Sequence, residues 1–256
     1  MKKFISLFAL VIFAMSAAYS QSVDEIISAN LQARGGEKAL AGIKTLSAEM
    51  DMSIMGMKAP IKYYVQTPDK SHLEQTQMGQ TVLLICNGKS GWVSMQGQVQ
   101  EIPEEQLEMV NKSNPSIQFM TKNPLVDYKT KGYKVTNTGN DVFEGKQCTV
   151  LEVDYNDDYI VNVFIDKATN LEVKYEINVP TLAEELEKAG DELTEEQEMI
   201  AASMQPEIFI TEWAEYDGIK FPKTTQVKLG EMTQTITITN CKVNGSLDAK
   251  LFSKPE

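Results

Sequence analysis

Residues 171–179, "LEVKYEINV", switch between apolar and polar at every step. A period of two sends alternate side chains to opposite faces of an extended strand, so such a run specifies a strand buried on one side. It predicts Leu171, Val173, Tyr175, Ile177 and Val179 facing a core, with Glu172, Lys174, Glu176 and Asn178 facing water. The rhythm recurs along the chain. Leu46, Ala48, Met50, Met52 and Ile54 alternate with Ser47, Glu49, Asp51 and Ser53, and Ile61, Tyr63 and Val65 alternate with Lys62, Tyr64 and Gln66. Further short strands are predicted at "SHLEQTQM", "TVLLICN", "GWVSMQ", "YKVTNTGN", "KQCTVLEVDY", "YIVNVFID", "EIFITEWAEY", "KTTQVKL" and "TQTITITNCKV". Turn signals such as "TPDK", Gly79-Gln80, Asn87-Gly88 and Asp217-Gly218 separate them. This spacing specifies an antiparallel meander of about eleven strands.

Helical patterns interrupt the strands at three places. Residues 23–33 place Ile26, Ile27, Leu31 and Ala33 on one side of a short helix. Ser22 or Asp24 is available to cap it, and Gly35-Gly36 to stop it. "EKALAGI" adds one or two turns. Residues 102–125 are expected to be helical or irregular, with Leu107, Val110, Ile117, Phe119 and Met120 for burial. Residues 180–206, between Pro180 and Pro206, carry two capping-box spacings, Thr181 with Glu184 and Thr194 with Gln197. This second insertion is mostly acidic and reads as a soluble helix face or a loosely held arm. No linker or repeat divides the chain. The expected fold is therefore α+β, mainly β: one domain over residues 21–256, a large curved antiparallel sheet with helices on one side.

The opening "MKKFISLFALVIFAMSAAYSQS" has a basic start, an apolar run from Phe4 to Ala18 and a small-x-small cleavage pattern, Ala18-Tyr19-Ser20. It reads as a signal peptide over residues 1–20, with Gln21 as the new N-terminus. No cysteine stands at the cleavage point for a lipid anchor, so the mature protein is expected free in the periplasm, with secretion beyond it the lesser alternative. The net charge is −12, and losing Lys2 and Lys3 makes it −14. With Arg34 the only arginine, nucleic acid and anionic membrane are poor partners by charge.

Candidate chemistry is sparse. Cys86, Cys148 and Cys241 are spaced too widely for a metal knuckle, and either one disulfide with one free thiol or three buried thiols fits. His72 is the sole histidine, sits in a strand pattern, and has no Gly-x-Ser-x-Gly elbow to serve. Gly35-Gly36 lacks the rest of a phosphate loop. Asp154, Asn156, Asp157 and Asp158 resemble a calcium cluster without its glycine and terminal glutamate, and read as a solvated turn. Trp92 and Trp213 read as core-filling strand residues. No enzyme activity and no cofactor are expected.

Met50, Met52, Met55 and Met57 fall within eight positions. Copper(I) favours thioethers, but in an unbroken strand Met50 and Met52 face away from Met55 and Met57, so no metal is expected there. Two readings remain, an ordinary core and an adaptable apolar pocket. Methionine is unbranched and polarizable, so it repacks around guests of varied shape.

The order of "ARGGEKALAGIKTL", "NGKSGWV", "IDKATNLEVKYE", "YDGIKFPKTTQV" and "LDAKLFSKP" resembles the bacterial outer-membrane lipoprotein-sorting proteins, the LolA/LolB-like carriers, in their Bacteroidetes-type versions. The resemblance implies an unclosed half-barrel whose concave face is covered by helices, enclosing a cavity for acyl chains. It implies a non-enzymatic, monomeric periplasmic carrier of lipid or lipoprotein, handing cargo between membrane-associated donor and acceptor proteins. The alternative on the same fold is a periplasmic sensor or protein-interaction module. The family's strand arginine that couples a lid to cargo release has no counterpart here, because Arg34 precedes the first predicted strand. The cavity is expected to be lined by Leu46, Met50, Met52, Ile54, Ile61, Tyr63, Val65, Leu171, Val173, Tyr175 and Ile177.

Overall fold

The computed structural model describes residues 21–54, 56–77, 79–88, 90–104, 107, 123–155, 160–178 and 205–255. The expected leader lies outside the described residues, as do most of the insertions at 102–125 and 180–206. Among the described residues no helix is long and apolar enough to cross a membrane.

Among the described residues thirteen strands form one sheet: β1 (Thr45–Ile54), β2 (Met57–Gln66), β3 (Lys70–Gln77), β4 (Gln80–Asn87), β5 (Ser90–Met95), β6 (Gln98–Ile102), β7 (Lys134–Phe143), β8 (Lys146–Asp154), β9 (Ile160–Asp166), β10 (Glu172–Asn178), β11 (Glu207–Tyr216), β12 (Ile219–Leu229) and β13 (Met232–Val243). Their order is β6-β5-β4-β3-β2-β1-β13-β12-β11-β10-β9-β8-β7. The sheet is thus two meanders joined where β1 pairs antiparallel with β13, from Leu46 opposite Val243 to Ile54 opposite Gln234. It stays open, with β6 and β7 as its edges. The count exceeds the expected eleven or so, and β6 is the strand that the sequence pattern did not reveal. Its core-side positions, opposite Met95, Val93 and Gly91, are Gln98, Gln100 and Ile102, two of them amides. An edge strand needs little apolar patterning because a neighbour holds one side and water the other.

Two helices precede the sheet, α1 (Val23–Ala33) and α2 (Glu37–Ala41). Ser22 caps α1 in a full capping box, its hydroxyl accepting from Glu25 N while the Glu25 carboxylate takes the Ser22 N–H at 2.8 Å. Those bonds to Ser22 hold the Glu25 carboxyl below its usual range. Ile26, Ile27 and Leu31 of α1 join Leu46, Ala48, Met50, Met52, Ile61, Val65, Val163, Ile208 and Ile236 in the main core. The face of the sheet that α1 covers is called the inner face below.

The outer face has cover of its own. A 3-10 turn at Ala249–Phe252 lies against β3 and β4, burying Phe252. His72 Nδ1 is 2.6 Å from the Leu251 carbonyl, which can only accept, so this nitrogen carries the proton. The histidine is a buried strand residue locked to the chain's end. Farther along, Cys148, Val150, Phe164 and Val173 form a small outer cluster. The Lys174 ammonium sits 5.3–5.7 Å from the ring centres of Phe143, Phe164 and Phe209. It donates to Glu176 and Glu207 at 2.6 and 2.5 Å.

Cys86, Cys148 and Cys241 are all free and buried, which selects the three-thiol alternative. Burial holds the Cys241 thiol up at about 12, so it stays protonated and unreactive at neutral pH. Ellman's reagent should find no fast-reacting thiol in the native protein and three after denaturation; a rapid native reaction would contradict this burial.

The chain leaves α1 through Gly35, at φ +120°, where an added Cβ would lie 2.5 Å from the Gly218 carbonyl oxygen. Backbone cannot yield as a side chain does, so Gly35→Ala should cost more than about 2 kcal/mol. Gly97→Ala, also at positive φ but with open space around it, should cost about 1 kcal/mol. Urea midpoints of the two variants test the difference.

Candidate functional site

The inner face gathers most of the expected cavity residues. Leu46, Met50 and Met52 on β1, Ile61, Tyr63 and Val65 on β2, and Tyr175 and Ile177 on β10 share one core cluster with α1, and Ile54 lies half-buried against it. Leu171 is buried in the turn ahead of β10, its carbonyl accepting from Asp166 N at 2.9 Å. Val173 is on the other side of the sheet, in the outer cluster.

The reason is a bulge. Glu172 pairs with Ile165 and Lys174 with Phe164, so Val173 is an extra residue with no partner on β9. One inserted residue shifts the phase of alternation before it. Tyr175 and Ile177 keep the inner face as expected, but Glu172, expected in water, points inward in place of Val173.

Buried there, Glu172 meets Arg34. Arg34 Nη1 lies 3.1 Å from Glu172 Oε1, with the two side chains 1 % and 0 % exposed. Arg34 Nε donates to the Lys220 carbonyl at 3.3 Å, and its guanidinium stands 5.1 Å from the Trp213 ring centre. Trp213 Nε1 donates to the Glu172 carbonyl oxygen at 3.2 Å. Asn123 Nδ2 donates to Glu172 Oε1 at 3.2 Å and faces Asn30 Oδ1 at 3.4 Å, while Asn30 Nδ2 donates to the Asn170 carbonyl at 2.9 Å. Tyr175 is wholly buried beside this carboxylate. Its phenol is pushed well above the usual value, first by burial and then by the negative charge of Glu172. The network ties the C-terminal end of α1 to β10, β11 and β12, and to Asn123.

Sequence reasoning missed this centre because Glu172 and Arg34 are 138 positions apart and the bulge reverses the side on which Glu172 falls. The one available signal was a lone arginine at a helix end before Gly-Gly. A charge removed from a buried pair strands its partner at a cost of about 3–5 kcal/mol. Arg34→Met and Glu172→Gln should each destabilise by that order, and the double variant by clearly less than their sum. Denaturant midpoints in a double-mutant cycle measure it, and strict additivity would refute the coupling.

The structure also bears on the remaining candidates. The turn at Gly56 brings Met57 opposite Ile54, so Met50, Met52 and Met57 share the inner face. Among the described residues no group of three His, Cys, Asp or Glu side chains is placed to hold a metal ion. In the expected calcium-like turn Asn156, Asp157 and Asp158 lie outside the described residues. A pocket of about 1000 Å³ opens between the start of α1 and β7–β9, lined by Ser22, Ile26, Asn137, Asn140, Thr149 and Lys167 among others, and by none of the expected cavity residues.

No protein-family model matches the chain, and no curated protein matches it by sequence. Solved structures match its shape. A DUF1329 family protein from Desulfovibrio piger superposes with a TM-score of 0.53 at 13 % identity, over 91 % of this chain and 98 % of that one. A putative outer membrane lipoprotein-sorting protein domain from Vibrio parahaemolyticus gives 0.53 at 16 %, over 90 % and 95 %. A LolA superfamily protein from Nitrosomonas europaea gives 0.50 at 14 %, over 92 % and 99 %. At these identities the likeness is one of fold: the chain has an open, mainly antiparallel β architecture of the LolA-like kind.

Proposed function

We propose that this protein is a non-enzymatic carrier of acyl chains, working in the periplasm after removal of residues 1–20, with the open sheet curved into a half-barrel around its cargo. The observation that carries the reading is the inner face of β1 and β2. It runs from buried Met50 and Met52 through half-buried Ile54 to exposed Met57 without a polar side chain. A closed core would end in polar residues at its rim; on these two strands it continues apolar into solvent. The LolA-like fold, shared with a putative lipoprotein-sorting domain, agrees with that use.

The energetics set what the carrier must do. A chain of about fifteen methylenes gains roughly 12 kcal/mol on leaving water, so nearly all of it must be hidden. Met50 and Met52 belong to the main core, and their three rotatable bonds let them swing aside for a guest with little strain. Specificity then comes from shape and desolvation, with lipid or lipoprotein as cargo.

Native mass spectrometry of protein purified from its own host should show one or two acyl chains bound. Met52→Phe, which adds bulk without polarity, should lower that occupancy about twofold or more while the far-UV spectrum is kept. Protein that carries no lipid and binds no fluorescent fatty acid would overturn the carrier.

A further inference from the structure

Six large apolar side chains are exposed among the described residues: Met57, Val82, Met95, Val142, Ile160 and Met232. All but Val142 lie at one end of the sheet. β1–β2, β3–β4, β5–β6 and β12–β13 are hairpins whose turns all fall at that end, because Ile54 opposes both Met57 and Gln234. Each turn bends through a glycine at positive φ: Gly56, Gly79, Gly97 and Gly230.

The four exposed residues on these hairpins share a face as well as an end. Val82 pairs with Met95 and with Gln75, which pairs with buried Ile61; Met57 pairs with Ile54; Met232 pairs with Leu229, two residues beyond the core-facing Val227. All four therefore continue the inner face past its covered part, and they are 36–58 % exposed. Neighbouring hairpins repeat every two strands, about 10 Å apart, so the side chains form a row along the rim rather than one compact patch.

Charge is nearly absent from this row. Residues 54–57, 77–80, 95–98 and 229–232 include one charged residue, Glu231, in a chain that is 23 % charged. A protein at −12 is repelled by anionic surfaces, and this row of nearly uncharged turns approaches a lipid surface at less electrostatic cost than the charged remainder of the chain. The sixteen positions contain no Arg, a frequent anchor of protein–protein contacts. Their thioether, isopropyl and amide groups suit the boundary of headgroups and acyl chains, where apolar side chains sink a few ångströms.

We propose that this rim is a docking surface for a zwitterionic lipid bilayer, entered by Met57, Val82, Met95 and Met232 together. The proposal goes beyond acyl-chain carriage and holds with or without cargo, so its test uses delipidated protein. Protein purified from the periplasm of an expression host, with its N-terminus fixed by mass, is floated with phosphatidylcholine vesicles. It should co-float, with little dependence on salt. The uncharged triple variant M57Q/M95Q/M232Q should bind about tenfold more weakly or worse, and V142Q, at the other end, should bind as the parent does. Should the triple variant lose its circular-dichroism signature, M95Q and M232Q are read singly, each expected to bind severalfold more weakly. The proposal falls if the parent does not float, if the rim variants float as well as the parent, or if V142Q loses as much. Binding only to vesicles that contain membrane proteins would likewise overturn it, since the occupant would then be a protein.

Discussion

The pairing of β1 with β13 is the constraint on which the rest of the molecule depends. Each meander alone is a row of hairpins with a bare edge at its long inner strand. Joined, they present Met50 and Met52 beside Ile238 and Ile236 and make one continuous apolar inner face. The contact spans long stretches of chain, 190 positions for the bond from Thr239 Oγ1 to the Glu49 carbonyl. Closing so long a loop costs entropy before any contact repays it, whereas each hairpin closes over a few residues. Until β13 is made, the inner face of β1 and β2 has no second half.

The Arg34–Glu172 pair solves a related problem at the opposite end of the sheet. A helix resting on an apolar floor is free to slide, because hydrophobic contact has no direction. The buried ion pair, the Trp213 bond and the two asparagines do have direction, and they fix α1 in position over β10 to β12. Such pairs contribute more to a unique arrangement than to net stability. The close approach of Gly35 to Gly218 belongs to the same junction: the helix end lies so near the β11–β12 turn that no side chain fits between them.

Much of this was legible in the residues and some was not. Period-two alternation revealed the strands because one buried face leaves its mark at every second position, and Gly-containing turns marked their ends. The edge strand β6 escaped because amides occupy two of its inner positions. Alternation was also a faithful guide to which side chains of β1 and β2 face the core, from Leu46 to Met52 and from Ile61 to Val65. It failed at Val173, since a bulge is a backbone event that the sequence LEVKYE records nowhere. The buried ion pair was lost with it: a glutamate in alternation with valine and tyrosine reads as solvent-facing until the phase slips. The insertions at 102–125 and 180–206 lie mostly outside the described residues.

The methionines divide into two chemical populations. Met50 and Met52 are buried in the core, whereas Met57, Met95 and Met232 meet water directly. A thioether open to solvent is the first to react with peroxide or hypochlorous acid, and the sulfoxide that results is polar and larger. Oxidative stress would therefore turn the rim hydrophilic while sparing the interior. A sulfoxide reductase working on exposed hairpins could restore it without unfolding the protein.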